Sequence, residues 1–233
     1  MTEAARAGRK SPGRIGVLGG TFNPIHLGHL RMAEILSEEF GLDPFIFIPS
    51  AVPPHKTPED LCPADVRLEM VRVATAPNPR FRVSDVEVIR GGASYSVETL
   101  ESLAAEHGAH AEIFFAMADD AFAEIETWKD WQRLFALTNI IVVTRPGGSG
   151  ATPEALLPVE VREAFCYNSQ DDAYRHESGK RLYFRDVGAL GVSSTAIRRD
   201  VREGRSIRYL VPEDVRDVIA RRGLYLHPDP GAK

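Results

Sequence analysis

Two histidines three residues apart, His26 and His29, follow a glycine pair in the segment Gly19-Gly20-Thr21-Phe22-Asn23-Pro24-Ile25-His26-Leu27-Gly28-His29. On a helix this spacing puts both imidazoles on one face, where they can reach one ligand together. Adjacent glycines remove the Cβ atoms that would hold a phosphate off the backbone. A helix opening behind them offers free N–H groups and the positive end of its dipole to an anion. The chemistry these residue types point to is the holding of a triphosphate. Two imidazoles can also be two ligands of a metal, but no Cys or His cluster elsewhere in the sequence supplies the rest at a metal spacing. No metal centre is therefore expected. In isolation such a pair also fits two ordinary helix residues; its place on a strand–Gly–Gly–helix junction favours the anion site.

A second group is Gly191-Val192-Ser193-Ser194-Thr195-Ala196-Ile197-Arg198. Ser193, Ser194 or Thr195 can cap a helix that begins here. Arg198 lies one turn later and leans back toward that open end. Hydroxyls, backbone donors and a guanidinium at one helix start make a phosphate clamp; the plainer reading is a capped surface helix. A third group is aromatic. Tyr95 follows Gly91-Gly92-Ala93-Ser94, and Trp128 and Trp131 lie in the polar connection Glu126-Thr127-Trp128-Lys129-Asp130-Trp131. Flat rings on loops sandwich a flat heteroaromatic, or they anchor a loop to a sheet, which is the favoured reading for Trp131. Lys56, in Val52-Pro53-Pro54-His55-Lys56, sits on a rigid loop after a strand and offers a point charge to a phosphate or to solvent.

These groups have to be positioned by a framework, and the apolar pattern describes one. Ile15–Leu18, Phe45–Ile48, Ile113–Phe115 and Ile140–Val143 are short apolar runs typical of strands buried on both faces. Helical patterns fall between them. One runs from near Leu27 to Phe40, with Leu30, Ala33 and Leu36 inward and Gly41 as its stop. Others run from Pro63 to Ala76 and from a Ser96 cap to His107. Phe81-x-Val83 and Val86-x-Val88 alternate as a more exposed strand. Strand–helix alternation implies an α/β fold with a parallel sheet and crossover helices. Residues 1–13 read as a disordered tail, 14–226 as one domain with a helical part from about 191, and 227–233 as a second tail. Pro146 to Pro153 reads as a loop, and Cys166 to Lys180 as an insertion, either a surface excursion or an oligomer contact.

Composition sets the outer limits. The chain has 233 residues and a formal net charge of -5, which argues against a nucleic-acid binder. No apolar run approaches the ~20 residues needed to span a bilayer, so no membrane partner is expected. The two cysteines, Cys62 and Cys166, form no disulfide framework and favour a reducing, cytoplasmic setting. A homo-oligomer is compatible with all of this.

The first segment resembles the Gly-Gly-Thr-Phe-[Asp/Asn]-Pro-x-His-x-Gly-His signature of the nucleotidyltransferase α/β-phosphodiesterase superfamily. Within it, the chain is similar to the bacterial nicotinate-mononucleotide adenylyltransferases, across most of residues 14–226. Their [Ile/Val]-Ser-Ser-Thr-x-[Ile/Leu]-Arg and Pro-Pro-His-Lys elements are matched by Val192–Arg198 and Pro53–Lys56. The resemblance implies a Rossmann-like doubly wound sheet and transfer of the adenylyl group of ATP to nicotinate mononucleotide, with Mg²⁺ arriving on ATP. It assigns catalysis to His26, His29 and Arg198. Phosphate contacts go to Gly19, Gly20, Thr21, Phe22, Lys56, Ser193, Ser194 and Thr195. The nicotinate nucleotide falls to Tyr95, Ser96, Asp120 and Trp128. The chain departs from the family in one corner: a Gly-x-Asp acid is expected, and here Ala118 and Asp119 precede Asp120. Three readings follow: this enzyme, a relative using nicotinamide mononucleotide or another phosphorylated acceptor, and a nucleotide-sensing module without catalysis. Intact His26, His29 and Arg198 favour an enzyme.

Overall fold

The first apolar run forms β1 (Arg14–Gly20), an inner strand of an eight-stranded sheet. In the computed structural model the described residues are 13–53, 61–108, 110–144, 156–188 and 191–226. Residues 1–12, Lys56, the 146–153 loop and the 227–233 tail lie outside them. The strand order is β3-β2-β1-β4-β5-β8-β7-β6. Its strands are β2 (Phe45–Pro49), β3 (Phe81–Val83), β4 (Glu112–Ala118), β5 (Asn139–Thr144), β6 (Phe165–Asn168), β7 (Ala173–His176) and β8 (Arg181–Asp186). From β3 to β8 every pairing is parallel; β7 and β6 are added antiparallel at one edge.

Alternation of side chains along the central strands feeds two apolar layers. On one face Leu18, Phe47, Phe114 and Ile141 pack under helix α1 (Leu27–Phe40) and α2 (Ala64–Thr75). On the other, Val17, Ile48, Phe115 and Val142 pack under α4 (Ser96–His107) and α6 (Trp131–Leu137). Gly16 is a packing requirement: a Cβ there would lie 2.3 Å from the Phe45 ring. α1 ends as its sequence directs, with Gly41 in the left-handed conformation at φ 61°. Further along, α7 (Ser194–Arg202) and α8 (Glu213–Arg221) close over the first layer through Ile197, Val215 and Val218.

Three expectations change. Val86–Arg90 is a short helix, α3, and not a strand. Three alternating residues cannot separate the two periods. Here Asp85 and Gly91 (φ 67°) bound a turn whose Glu87 is buried and accepts a 2.7 Å bond from Thr99 Oγ1. α4 begins at Ser96, but its N-cap is Tyr95 and no side chain caps it. Finally, the segment read as an insertion is the β6–β7 hairpin, which extends the sheet through Tyr174 opposite Leu182. β8 carries only the short run Leu182-Tyr183-Phe184 between charged residues, and the pattern alone did not single it out.

Candidate active site

The chain order places β2 and β3 on one side of β1, and β4 and β5 on the other. The crevice beyond the carboxyl ends of β1 and β4 is thus the topological switch point, where open α/β sheets receive ligands. A cavity of about 710 Å³ opens there. It brings together Gly19, Gly20, Thr21, His26 and His29 from the first segment with Tyr95, Ser96, Asp120 and Trp128 from the third.

The loop after β1 is shaped before it meets any ligand. Phe22 is buried with φ 47°, and its ring meets His29 edge-on with centroids 5.2 Å apart. A Cβ on Gly20 would press on that ring at 3.1 Å, so this glycine serves packing as well as backbone access. His26 is the N-cap of α1 and its imidazole stacks on that of His29, centroids 3.7 Å apart. The His26 backbone N–H donates to His29 Nδ1 at 3.2 Å. An accepting Nδ1 leaves the proton of a neutral imidazole on Nε2, so His29 presents Nε2 as a donor.

Asn23 organises the same loop from below. It is buried, its Oδ1 accepts the Tyr225 hydroxyl at 3.0 Å and the Cys62 N–H at 3.3 Å, and its carbonyl accepts Arg198 Nη1 at 3.0 Å. Burial, with Cys62 beside it, pushes the Tyr225 hydroxyl far above the usual phenol range, so it remains a neutral donor. Ser193 caps α7 by accepting from Ala196 N–H at 3.1 Å, and Ser194 Oγ donates to the Pro24 carbonyl at 2.9 Å. The Ser194 hydroxyl therefore straps α7 to the loop, while that of Ser193 caps the helix. Thr195 is exposed, and Arg198 Nε is buried with no hydrogen-bond partner among the described residues. Val192 alone of the segment Val192–Arg198 is a described lining residue of the cavity.

On the far wall, Tyr95 is aimed by the turn before it: Ser94 Oγ accepts from Ala51 N–H at 2.9 Å and Ser94 N–H donates to the Val52 carbonyl. Trp128 packs on Phe115 with centroids 6.4 Å apart, while Trp131 meets Phe135 edge-on in the second layer. Both rings anchor their loop, and of the two only Trp128 also faces the described cavity. Asp119 and Asp120 open helix α5 (Asp119–Ala123), and Asp120 Oδ1 accepts from Ala121 N–H at 2.8 Å.

Three contributors were missed by the sequence reading. Arg67 is fully buried, and its guanidinium donates to the carbonyls of Thr21 (2.8 Å), Ala51 (2.8 Å) and Cys62 (2.9 Å). Ser50 lines the cavity with its Oγ buried and unpartnered among the described residues. Tyr225 closes on Asn23 from the far end of the chain. A charged residue in the apolar stripe Val66–Val71 was the available clue to Arg67.

A mostly parallel sheet with a glycine loop, paired histidines and an aromatic wall at its switch point defines a nucleotidyltransferase class of fold and site. The sequence model of the cytidylyltransferase-like family matches residues 17–200. A probable nicotinate-nucleotide adenylyltransferase of Geobacter metallireducens is 47% identical over 92% of this chain and 99% of its own. That of Geobacter sulfurreducens is 45% identical over 92% and 99%. Among solved structures, the Plasmodium falciparum nicotinic acid mononucleotide adenylyltransferase complexed with NaAD superposes with a TM-score of 0.70. It covers 91% of this chain and 97% of its own at 16% identity, a likeness of fold. The chain belongs to the cytidylyltransferase-like family and, within it, to the nicotinate-nucleotide adenylyltransferases.

Proposed function

We propose that this enzyme transfers the adenylyl group of ATP to nicotinate mononucleotide, giving deamido-NAD and pyrophosphate in NAD biosynthesis. The observation that carries the reading is one cavity lined by His26 and His29 on one side and by Tyr95 and Trp128 on the other. The acceptor phosphate is ionised at neutral pH and needs neither a general base nor an enzyme nucleophile. One of its oxygens bonds to the α-phosphorus of ATP as the bond from that phosphorus to the bridging oxygen of pyrophosphate breaks, in line. His29, donating from Nε2, and His26 stabilise the charge that grows on the phosphate oxygens. Gly19, Gly20 and Thr21 give backbone access with Phe22 setting the loop; Thr195, Arg198 and Lys56 add donors, Ser193 caps α7, and Ser194 holds α7 against the loop. The pyridine lies against Tyr95 and Trp128, with Ser96 and Asp120 at its nucleotide.

Mg²⁺ enters with ATP. Hard cations at such sites take most of their oxygens from substrate phosphates and water, and Asp120 is an exposed carboxylate at the cavity. The cation would supply charge neutralisation on the phosphates. The free thiols Cys62 and Cys166 suit a reducing cytoplasm, and the acidic balance of the chain fits small anionic partners held at one site better than nucleic acid.

Pyrophosphate release with ATP and Mg²⁺, offering nicotinate and nicotinamide mononucleotide separately, tests the assignment. We expect release with the nicotinate nucleotide and a drop on the order of 10²–10³ in kcat for H29A, the usual effect of losing one donor to a transition-state charge. A folded protein that binds ATP but releases no pyrophosphate with either acceptor would refute it.

A further inference from the structure

Among the described residues lining the cavity, the carboxylates are Glu87, Asp120 and Glu124, and the only lysine or arginine is Lys129. An acceptor bearing a ring carboxylate thus enters a wall that is acidic but for one ammonium. That ammonium is held in place twice. Lys129 Nζ is 2.6 Å from Glu98 Oε1, on the first turn of α4, and stands 4.7 Å from the centroid of the Tyr95 ring. It follows Trp128 directly in the chain, so it sits beside both rings that receive the pyridine.

We propose that Lys129 is a specificity-determining residue, the cation that selects a pyridine nucleotide carrying a carboxylate over one carrying an amide. The inference rests on the function proposed above and adds the source of its acceptor preference. A carboxylate gains from an ammonium near the ring, whereas a neutral amide does not, and the gain is a difference between two acceptors at one site. Glu98 orients Lys129 without cancelling it. The pair is exposed, with 44% and 37% of the two side chains accessible, and an incoming carboxylate shares the lysine's remaining donors. The hydrogen bond from Lys129 also holds the Glu98 carboxyl below the usual carboxylate range and raises the lysine in turn, which keeps the cation charged throughout the working pH range.

The test is the ratio of kcat/KM for nicotinate over nicotinamide mononucleotide in the full-length enzyme, K129M and K129R. We expect K129M to lower that ratio about three- to tenfold, the scale of a partly screened charge pair. K129R should keep the ratio within about twofold, and the KM for ATP should not move in either variant. In the unmodified enzyme added salt should narrow the ratio, and in K129M it should not. Normal turnover of nicotinate mononucleotide with an unchanged ratio in K129M overturns this inference alone. An equal loss with both acceptors, which marks a structural role, does the same. If the unmodified enzyme turns over neither acceptor, the proposed function falls and takes this inference with it.

Discussion

Arg67 illustrates what a single side chain can do for a loop it never joins. Its guanidinium gathers the carbonyls that follow β1 and β2 and the one just before α2, and burial lowers its affinity for a proton against the pull of neighbours such as Cys62. Replacing it with methionine would leave three carbonyls to find other donors. We expect R67M to lose about 3 kcal/mol of stability by urea unfolding, since unsatisfied buried groups cost roughly 1–3 kcal/mol each and water recovers part. A loss below about 1 kcal/mol would show that solvent reaches all three. The histidine pair was legible because both residues lie within four positions and their spacing alone puts them on one face. Asn23, Arg67 and Ser50 were not, because their roles are set by partners or walls that the chain brings in from elsewhere.

At the scale of elements, the packing of β1 beside β2 depends on an absent side chain. Added to Gly16, a methyl would meet Phe45 Cδ2 at 2.3 Å and Leu42 Cδ1 at 3.0 Å. Both neighbours are core residues with little room to yield. G16A should therefore destabilise the protein by about 1–3 kcal/mol, the cost of overpacking, read as a lower midpoint in thermal unfolding. A neutral result would mean that β1 and β2 can separate locally. The strands with continuous apolar runs and the helices with marked ends were readable, Gly41 at the end of α1 above all. α3 was not, since a five-residue helix offers too few positions for a period. β6 and β7 escaped notice because an edge hairpin is half exposed and lacks the apolar run by which central strands are recognised, and β8 because its run Leu182-Tyr183-Phe184 is short and flanked by charges.

For the molecule as a whole, the fold half-buries one cysteine beside Asn23 and leaves the other at the sheet's far edge. Burial pushes the Cys62 thiol up, against the opposing influence of Tyr225, Arg67 and Arg198, while Cys166 is exposed on β6. The thiolate is the reactive form, so at pH 8 Cys166 should react with an aromatic disulfide reagent well before Cys62. Single-cysteine variants would assign the two phases, and a fast phase from Cys62 would contradict the raised thiol that its partial burial produces. The switch-point architecture was legible from the alternation of strands and helices, but its closure by a distant segment was not. Tyr225 reaches Asn23 across 202 positions. On a growing chain, then, the loop after β1 emerges from the ribosome early and must wait for nearly all of the remaining polypeptide before Tyr225 can reach Asn23. Products truncated before Tyr225 carry the loop without this bond from the distant segment.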